Sequence, residues 1–238
     1  MPATKSANSI VYTKAVRALR AHANPERAKV YRWYFKDPGR DRFLGVSTKE
    51  MREVARQIGD IPMADLRRLM RSGVHEERSL AHTLLRRKFE KGSATDREKI
   101  FNFYLNHRRS IHSWDGVDDS APYIVGPHLL RRDKKVLYEL ARSHSLWDRR
   151  IAIVSTLAFI RDGNLSDTLR IAEMLLDDQE DLVRKACGWM LREVGKRDER
   201  LLKQFLKKHC RAMPRTMLRY AIERFPEAQR QRYLKGQV

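Results

Sequence analysis

Apolar residues recur along this chain at spacings of three and four, the period of an α-helix with one buried face. Met51, Val54, Ala55 and Ile58 form one such stripe. Further stripes are Leu66/Leu69/Met70, Leu80/Ala81/Leu84/Leu85, Ile100/Phe101/Tyr104/Leu105, Val136/Leu137/Leu140, Ile151/Val154/Leu157/Ala158, Ile171/Met174/Leu175, Leu182/Ala186/Met190, Leu202/Phe205/Leu206 and Leu218/Ala221/Ile222/Phe225. No run in the sequence alternates with period two, so no strand is predicted. The pattern predicts about a dozen helices with short connections, an all-α fold.

Polar residues mark where these helices begin and end. Asn24-Pro25 predicts an N-cap followed by proline at the first helical position. Ser47 and Glu50 predict a capping box, in which each side chain accepts a hydrogen bond from the backbone of the other residue. Gly59 predicts the end of the helix that follows this box. These signals support the helical interpretation independently of the apolar period.

Small residues recur with a period close to 35. They are Ala81, Gly116, Ala152, Ala186 and Ala221, spaced by 35, 36, 34 and 35 residues. Two helices per repeat of this length are typical of an α-solenoid of stacked helix pairs, and the Asp181, Arg184, Ala186 pattern favours HEAT-like units. We predict one HEAT-like domain over residues 1–238 with about six helix pairs and flexible ends at 1–8 and 235–238. A chance match among alanine-rich helices is the alternative.

The chain is strongly basic, with 50 Lys and Arg against 30 Asp and Glu and a net charge of +20. Nucleic acid is the usual partner of such a protein, because Lys and Arg displace counterions from phosphates. Residues 162–181 hold seven acidic residues and one basic residue, whereas residues 182–197 hold five basic residues and one acidic residue. If alternate helices line the inner face, the solenoid has a concave basic groove suited to duplex DNA. A charge with no specific role and an anionic membrane surface are the alternatives.

The sequence also bears on location. No apolar run approaches the roughly 20 residues that span a bilayer, and residues 1–14 lack the apolar core of a signal peptide. Cys187 and Cys210 are too few for a disulfide framework or a four-cysteine zinc site. We expect a cytoplasmic protein, associated with the bacterial nucleoid when bound to DNA and not with a membrane.

Most catalytic signatures are absent from the sequence. There is no glycine-rich nucleotide loop, and His75-Glu76 lacks the second histidine of a zinc-binding helix. Asp115, Asp118 and Asp119 are clustered carboxylates, but neighbouring helical positions point in different directions and do not form a two-metal site. We predict no metal and no cofactor.

Tryptophan and charged residues occur together on the repeat helices. Trp114 and Asp118 are four residues apart and share a helix face, and Trp189 and Arg192 are three apart. A third helix of this kind begins near Trp147. A helical tryptophan is more often part of the core than of a site, but three such helices at equivalent places in the repeat favour a functional role.

At these residues the sequence resembles the AlkD-like DNA glycosylases, the HEAT-repeat enzymes of DNA alkylation repair. The matching segments are Ser-Trp-Asp-Gly-Val-Asp at 113–118, Leu-Trp-Asp-Arg-Arg-Ile-Ala at 146–152 and Lys-Ala-Cys-Gly-Trp-Met-Leu-Arg-Glu at 185–193, with 24–28 and 43–46 nearer the start. Together they cover most of the chain. Ser113 stands where some relatives have a second tryptophan; that position faces away from Trp114, so we expect the difference to alter helix packing rather than chemistry.

The resemblance implies a catalytic carboxylate at Asp118, flanked by the aromatic faces of Trp114 and Trp189. It also implies that arginines hold the DNA backbone near the lesion and that an aromatic residue approaches the DNA. The DNA-binding candidates are Arg150, Arg192, Tyr34, Arg149 and Lys185.

This residue set suits the removal of a cationic base. Protonation is not needed to expel 3-methyladenine or 7-methylguanine, and cleavage builds an oxocarbenium-like sugar that a carboxylate can stabilise while it orients water. Each tryptophan adds cation–π attraction of about 0.5–2 kcal/mol. We therefore predict a monomeric, monofunctional DNA glycosylase of base excision repair that acts on double-stranded DNA containing alkylated bases, without lyase activity. The resemblance implies that the lesion is contacted through its backbone rather than drawn into a pocket.

Two hypotheses from other classes remain open. A non-catalytic HEAT-repeat protein that binds damaged or branched DNA would keep the groove without using Asp118. A protein-binding scaffold fits the fold but leaves the basic groove unexplained.

Overall fold

The computed structural model describes residues 9–35 and 41–237, and in that part of the chain it contains sixteen α-helices and one 3-10 helix. The all-α prediction is confirmed: among these residues the β structure is limited to one isolated bridge, between Arg42 and Val74. The chain divides into two compact units, Met1–Gly116 and Val117–Val238. The prediction of a single domain stays a prediction.

The first unit holds the helices before the boundary. They are α1 (Ile10–Ala21), α2 (Pro25–Tyr34), α3 (Thr48–Ile58), α4 (Met63–Met70), α5 (His75–Lys91), α6 (Ala94–His107), the 3-10 helix Arg108–Ser110 and the start of α7 (Trp114–Asp118). Helix α5 lies at the centre and packs against α1, α3, α4 and α6. Its apolar stripe from Leu80 to Leu85 is buried.

The predicted helix ends are confirmed in this unit. The Asn24 side chain accepts a hydrogen bond of 2.9 Å from the backbone N–H of Arg27. The backbone N–H of Ser47 donates to the Glu50 carboxylate at 2.7 Å, and the N–H of Glu50 donates to the Ser47 hydroxyl at 3.3 Å. Gly59 ends α3 with a φ of 69°, a left-handed conformation that glycine adopts at little cost. Local sequence signals therefore set these boundaries.

The second unit holds the remaining helices. They are α8 (Ala121–Leu129), α9 (Lys135–Ala141), α10 (Leu146–Ser155), α11 (Leu157–Arg161), α12 (Ser166–Met174), α13 (Asp181–Arg197), α14 (Glu199–His209), α15 (Arg215–Ala221) and α16 (Glu227–Leu234). Helix α13 is central and packs against α10, α11, α12, α14 and α15. The repeat positions Ala152, Ala186 and Ala221 are buried, where small side chains let helices approach closely. The prediction of stacked helix pairs is thus confirmed within each unit, and the concave basic groove stays a prediction.

A turn of the same construction precedes α5, α10 and α13. The side-chain oxygen of its first residue accepts a hydrogen bond from the backbone N–H two residues later, and its carbonyl accepts one from an arginine six residues later. The pairs are Ser72 with Arg78 at 2.8 Å, Ser143 with Arg149 at 2.9 Å and Asp178 with Arg184 at 2.5 Å. The same hydrogen-bonded turn therefore forms the entry to three helices.

One predicted helix needs correction, and the predicted stripes do not include α1, α8 or α16. The single stripe from Ile151 to Ala158 is divided between α10 and α11. Here the hydroxyls of Ser155 and Thr156 donate to the carbonyls of Ile151 and Ile153, both at 2.6 Å, and such back-bonding competes with the regular helix. Helix α8 was not predicted, because its prolines and glycine obscure the apolar period.

The predicted flexible ends, 1–8 and 235–238, lie outside the described residues except for 235–237. In those three residues the backbone N–H groups of Lys235, Gly236 and Gln237 donate to carbonyls of α16. Residues 235–237 therefore continue the hydrogen bonding of the last helix.

Candidate functional site

Trp114 begins α7 and lies against two aromatic residues of the first unit. Phe35 stacks on its ring at a centroid distance of 5.2 Å and an angle of 20°. Tyr34, the last residue of α2, meets it edge-on at 5.8 Å. Phe35 also stacks on Phe43 at 5.7 Å. Because rings hold one another at fixed offsets, these contacts fix the orientation of the half-buried indole.

His75 connects this aromatic group to the residue after Trp114. Its ring lies 4.5 Å from that of Phe35, and its Nε2 is 2.9 Å from Oδ2 of Asp115. Its Nδ1 lies 3.7 Å from Oδ2 of Asp41. Burial by itself would lower the pKa of His75, but the hydrogen bond and charge of Asp115 outweigh burial and raise it above 6.5. The pair therefore anchors the start of α7 to the start of α5.

Asp115 remains charged in spite of its burial. Burial would raise its pKa, but the hydrogen bond and charge of His75, with a hydrogen bond from Ser113, lower the pKa to about 2. Oδ1 of Asp115 has no hydrogen-bond partner within the described part of the chain. His82 lies nearby on α5, fully enclosed, and burial lowers its pKa to about 4. A Cβ at Gly116 would lie 2.9 Å from the His82 ring, so a larger residue here would force this buried histidine to shift.

Glu76 fixes the loop that carries Phe43. Its carboxylate accepts hydrogen bonds from the backbone N–H of Leu44 at 2.9 Å and of Gly45 at 2.7 Å. Gly45 has a φ of 77°, and a Cβ there would overlap the Asn24 carbonyl oxygen at the start of α2. The first two residues of α5 thus hold both the loop and α7.

Asp118 lies in the second unit and is held by Arg150. The Nε and Nη2 groups of Arg150 donate to the two carboxylate oxygens at 3.0 and 2.8 Å, and Nη1 donates to the carbonyl of Leu182. The Arg150 side chain is 6% exposed and that of Asp118 is 17% exposed. A bidentate fork fixes a carboxylate in position and in plane, so Asp118 is oriented by a buried guanidinium while keeping an edge towards solvent.

Arg149 has a structural place that the sequence analysis did not foresee. It lies in the first turns of α10 and donates to the carbonyls of Ser143 and His144 in the turn that precedes the helix. Its Nε and Nη2 groups donate to Asp178 at 2.5 and 3.2 Å. All three of its nitrogens are therefore engaged within the second unit, and DNA binding by Arg149 stays a prediction that this geometry does not favour.

Trp189 lies on α13 in surroundings unlike those of Trp114. It is half-buried and borders a cavity of about 380 Å³. The other residues lining that cavity are Leu157, Ile160, Arg161, Glu193, Lys196 and Arg197. The preceding Gly188 allows close packing, because a Cβ there would lie 2.5 Å from the Met217 carbonyl oxygen of α15. The cavity beside this indole is thus lined by aliphatic side chains, three cations and one carboxylate.

The remaining DNA-binding candidates are partly exposed. Arg192 pairs with Glu193 at 3.4 Å and with Glu223. Lys185 pairs with Asp181 at 2.7 Å, and this partner raises the pKa of Lys185 in spite of burial. Tyr34 is 57% exposed. Surface pairs of this kind are weak, so both cations can exchange a carboxylate for a phosphate.

The structure brings the predicted residues together only in part. Asp118 contacts Arg150 in the second unit, and Tyr34 contacts Trp114 in the first. Sequence reasoning missed His75, which was considered only as part of a failed zinc motif, and the neighbouring residues Phe35 and Asp41. The position of His75 at the start of a repeat helix was the available signal.

Within 9–35 and 41–237 no group of three or more His, Cys, Asp or Glu side chains is placed to hold a metal ion. No helix in that part of the chain is both long enough and apolar enough to cross a membrane.

The fold and these residues define an all-α helical-repeat protein with a fork-held carboxylate and two half-buried tryptophans. Residues 15–225 match the family described as DNA alkylation repair enzyme, and the chain belongs to this family. Its role is therefore in the repair of alkylated DNA.

A solved structure supports the fold. A predicted DNA alkylation repair enzyme from Enterococcus faecalis superposes with a TM-score of 0.69 at 17% identity, covering 87% of this chain and 98% of that chain. At this identity the likeness shows a shared fold. None of the curated proteins compared with the chain matches it.

Proposed function

We propose that this protein is a monofunctional DNA glycosylase that removes cationic alkylated purines, 3-methyladenine and 7-methylguanine, from duplex DNA in base excision repair. The observation that carries the proposal is the Arg150 fork on Asp118, which orients a partly exposed carboxylate. A carboxylate held in this way needs no reorganisation when positive charge develops next to it.

Asp118 is the proposed catalytic residue. As the glycosidic bond of a cationic base breaks, positive charge moves onto the sugar. The carboxylate stabilises this charge and accepts a hydrogen bond from the water that attacks the anomeric carbon. The departing base leaves neutral, so no general acid is needed, and no lysine nucleophile or lyase step is part of the proposal.

Trp114 and Trp189 are proposed to present aromatic faces to the cationic nucleotide. Trp114 and Asp118 are the first and last residues of α7, and Phe35 stacks on one face of the Trp114 indole. Each face contributes cation–π attraction of about 0.5–2 kcal/mol. A contact of this kind favours a charged base over an undamaged one.

Arg192, Lys185 and Tyr34 are the proposed contacts to the DNA backbone. The two cations have exchangeable carboxylate partners and Tyr34 is exposed. Arg150 has a different role, because its nitrogens already donate to Asp118 and to the Leu182 carbonyl. We propose that Arg150 positions the carboxylate and reaches a phosphate only through its remaining N–H groups.

The test is release of free 7-methylguanine from a duplex oligonucleotide in EDTA, comparing wild type with Asp118→Asn. Asp119→Asn is the matched control, since Asp119 is an exposed aspartate one position further along. Release by wild type and Asp119→Asn, with loss of at least a hundredfold in Asp118→Asn, is expected for an electrostatic group of this kind. Equal release by wild type and both variants would show that Asp118 is not the catalytic residue.

A non-catalytic DNA-binding protein is the second candidate. The same fork favours it in one respect, since Arg150 already occupies both oxygens of Asp118. No release by wild type, together with duplex affinity that falls steeply with salt, would support this alternative.

A further inference from the structure

Helix α2 presents an apolar face that nothing in the described chain covers. None of its ten residues is buried. Trp33 is 81% exposed and Val30 is 59% exposed, and one turn of helix separates them, so they share a face. Large apolar groups left together in water commonly mark a binding surface. Trp33 is not part of the site proposed above.

Both ends of α2 are nevertheless held firmly. At the start, the backbone N–H of Asn24 donates to the Leu44 carbonyl at 2.8 Å. Arg27 pairs with Glu50 of α3 at 3.0 Å. At the end, Tyr34 packs edge-on against Trp114 at 5.8 Å. The exposed face therefore belongs to an anchored helix, which presents Trp33 to solvent in a defined direction.

Cations flank the exposed indole. Lys29 is one turn before Trp33 on the same face, and Arg32 precedes it directly; both are exposed. Among the described residues Lys29 pairs with Glu26 at 2.8 Å, and both side chains are exposed to solvent; such pairs are readily exchanged. An exposed aromatic ring between cations is the combination that binds single-stranded nucleic acid, in which the ring stacks on a base and the cations bind adjacent phosphates.

We propose that the outer face of α2, formed by Lys29, Val30, Arg32 and Trp33, binds DNA that has an unpaired base, with Trp33 stacked on that base. A paired base inside a duplex has both faces covered by its neighbours, so a flat ring on a helix surface reaches a base face only where pairing is interrupted. The net charge of +20 on the chain favours this partner over a cationic or neutral one. The inference extends the proposed function, because removal of a damaged base leaves the opposite base unpaired.

The test measures binding and does not depend on excision. Fluorescence anisotropy gives the affinity for two labelled duplexes without alkylated bases, one fully paired and one with a single extra unpaired adenine. The proteins are wild type, Trp33→Ala, Trp33→Phe and Ile10→Ala. Ile10 is the matched control, since it is an apolar residue of the same unit that is 86% exposed.

Trp33→Ala is expected to lower affinity for the bulged duplex about tenfold and to change affinity for the paired duplex less than twofold. Trp33→Phe should recover most of the loss, because a phenyl ring still stacks, and Ile10→Ala should resemble wild type. Quenching of tryptophan fluorescence by the bulged duplex should be weaker in Trp33→Phe than in wild type.

Two results would overturn the proposal. If Trp33→Ala lost affinity equally for both duplexes, Trp33 would be a general duplex contact. If it lost affinity for neither, the outer face of α2 would not bind DNA and a protein would be its partner. Failure of the enzyme to release 7-methylguanine would count against the proposed function and leave this binding comparison unaffected.

Discussion

The two tryptophans of the proposed site lie in chemically different surroundings. Trp114 is packed against Phe35 and Tyr34, next to a buried group of histidines and carboxylates. Trp189 borders a cavity with cationic and aliphatic walls, and the Asp118 of its unit is held by an arginine. Histidine changes charge near neutral pH, whereas arginine and lysine do not. Mild acid or base should therefore act on the surroundings of Trp114 and leave those of Trp189 unchanged.

The largest effect is expected at His82. Its folded pKa is about 4 because of burial, against about 6.5 in an unfolded chain. Between these values the unfolded state binds a proton that the folded state does not, so the unfolding free energy falls by about 3 kcal/mol as the pH drops from 6.5 to 4. His82→Leu should lack this part of the fall. Urea unfolding at several pH values measures this difference. If the unfolding free energies of wild type and His82→Leu fell in parallel with pH, His82 would not be the group responsible.

Replacing each tryptophan by alanine tests the difference in packing. Trp114→Ala removes the stack on Phe35 and the edge contact with Tyr34, and should lower the unfolding free energy by about 2 kcal/mol. Trp189→Ala enlarges a cavity already open to water, and should cost about 1 kcal/mol. Chemical denaturation followed by circular dichroism measures both. A larger loss of unfolding free energy in Trp189→Ala than in Trp114→Ala would contradict the difference in packing.

His75→Gln tests the ion pair with Asp115. Glutamine can still donate a hydrogen bond to Asp115, so the change removes mainly the charge. The folded pKa of His75 is raised, so the stabilisation is complete below pH 6.5, the unfolded value, and is lost as the pH rises through the folded pKa. We expect the variant to be less stable than wild type by about 1 kcal/mol at pH 6 and nearly equal to it at pH 9. A difference that grows towards high pH would have the wrong sign.

The smallest effect on stability is expected at Arg192. Its pairs with Glu193 and Glu223 are partly exposed, so Arg192→Ala should change the unfolding free energy by less than about 1 kcal/mol. If Arg192 binds a phosphate, the slope of log affinity for duplex DNA against log salt should decrease by about 1. If the salt dependence of duplex affinity were unchanged in Arg192→Ala, Arg192 would not contact a DNA phosphate. Arg149→Ala offers the contrast, because it breaks a turn and should affect stability more than DNA binding.

Helix ends and the apolar period of the helices were predictable because both are local. The capping box of Ser47 and Glu50 depends on residues three apart, and the stop at Gly59 depends on one residue. The division between α10 and α11 was not predicted, since the hydroxyls of Ser155 and Thr156 compete with a helix that the apolar period favours. In the proposed site, the spacing of Trp114 and Asp118 predicted the helix that became α7. Phe35, which stacks on Trp114, belongs to no motif and was not predicted.

The sequence by itself determined the all-α fold and the basic character, because these follow from short-range periodicity and composition. It also predicted the stacked helix pairs, because small residues recur about every 35 positions. Only the tertiary structure decided which charges meet. Arg150 and Asp118 are 32 residues apart and His75 and Asp115 are 40 apart, so each pair depends on how successive helix pairs pack. Packing also brought the Arg149 side chain to the turn before α10, and the side chain of Arg150, the next residue, to the proposed catalytic carboxylate. Adjacent helical residues point in different directions, and the neighbours that each direction meets are set by the fold.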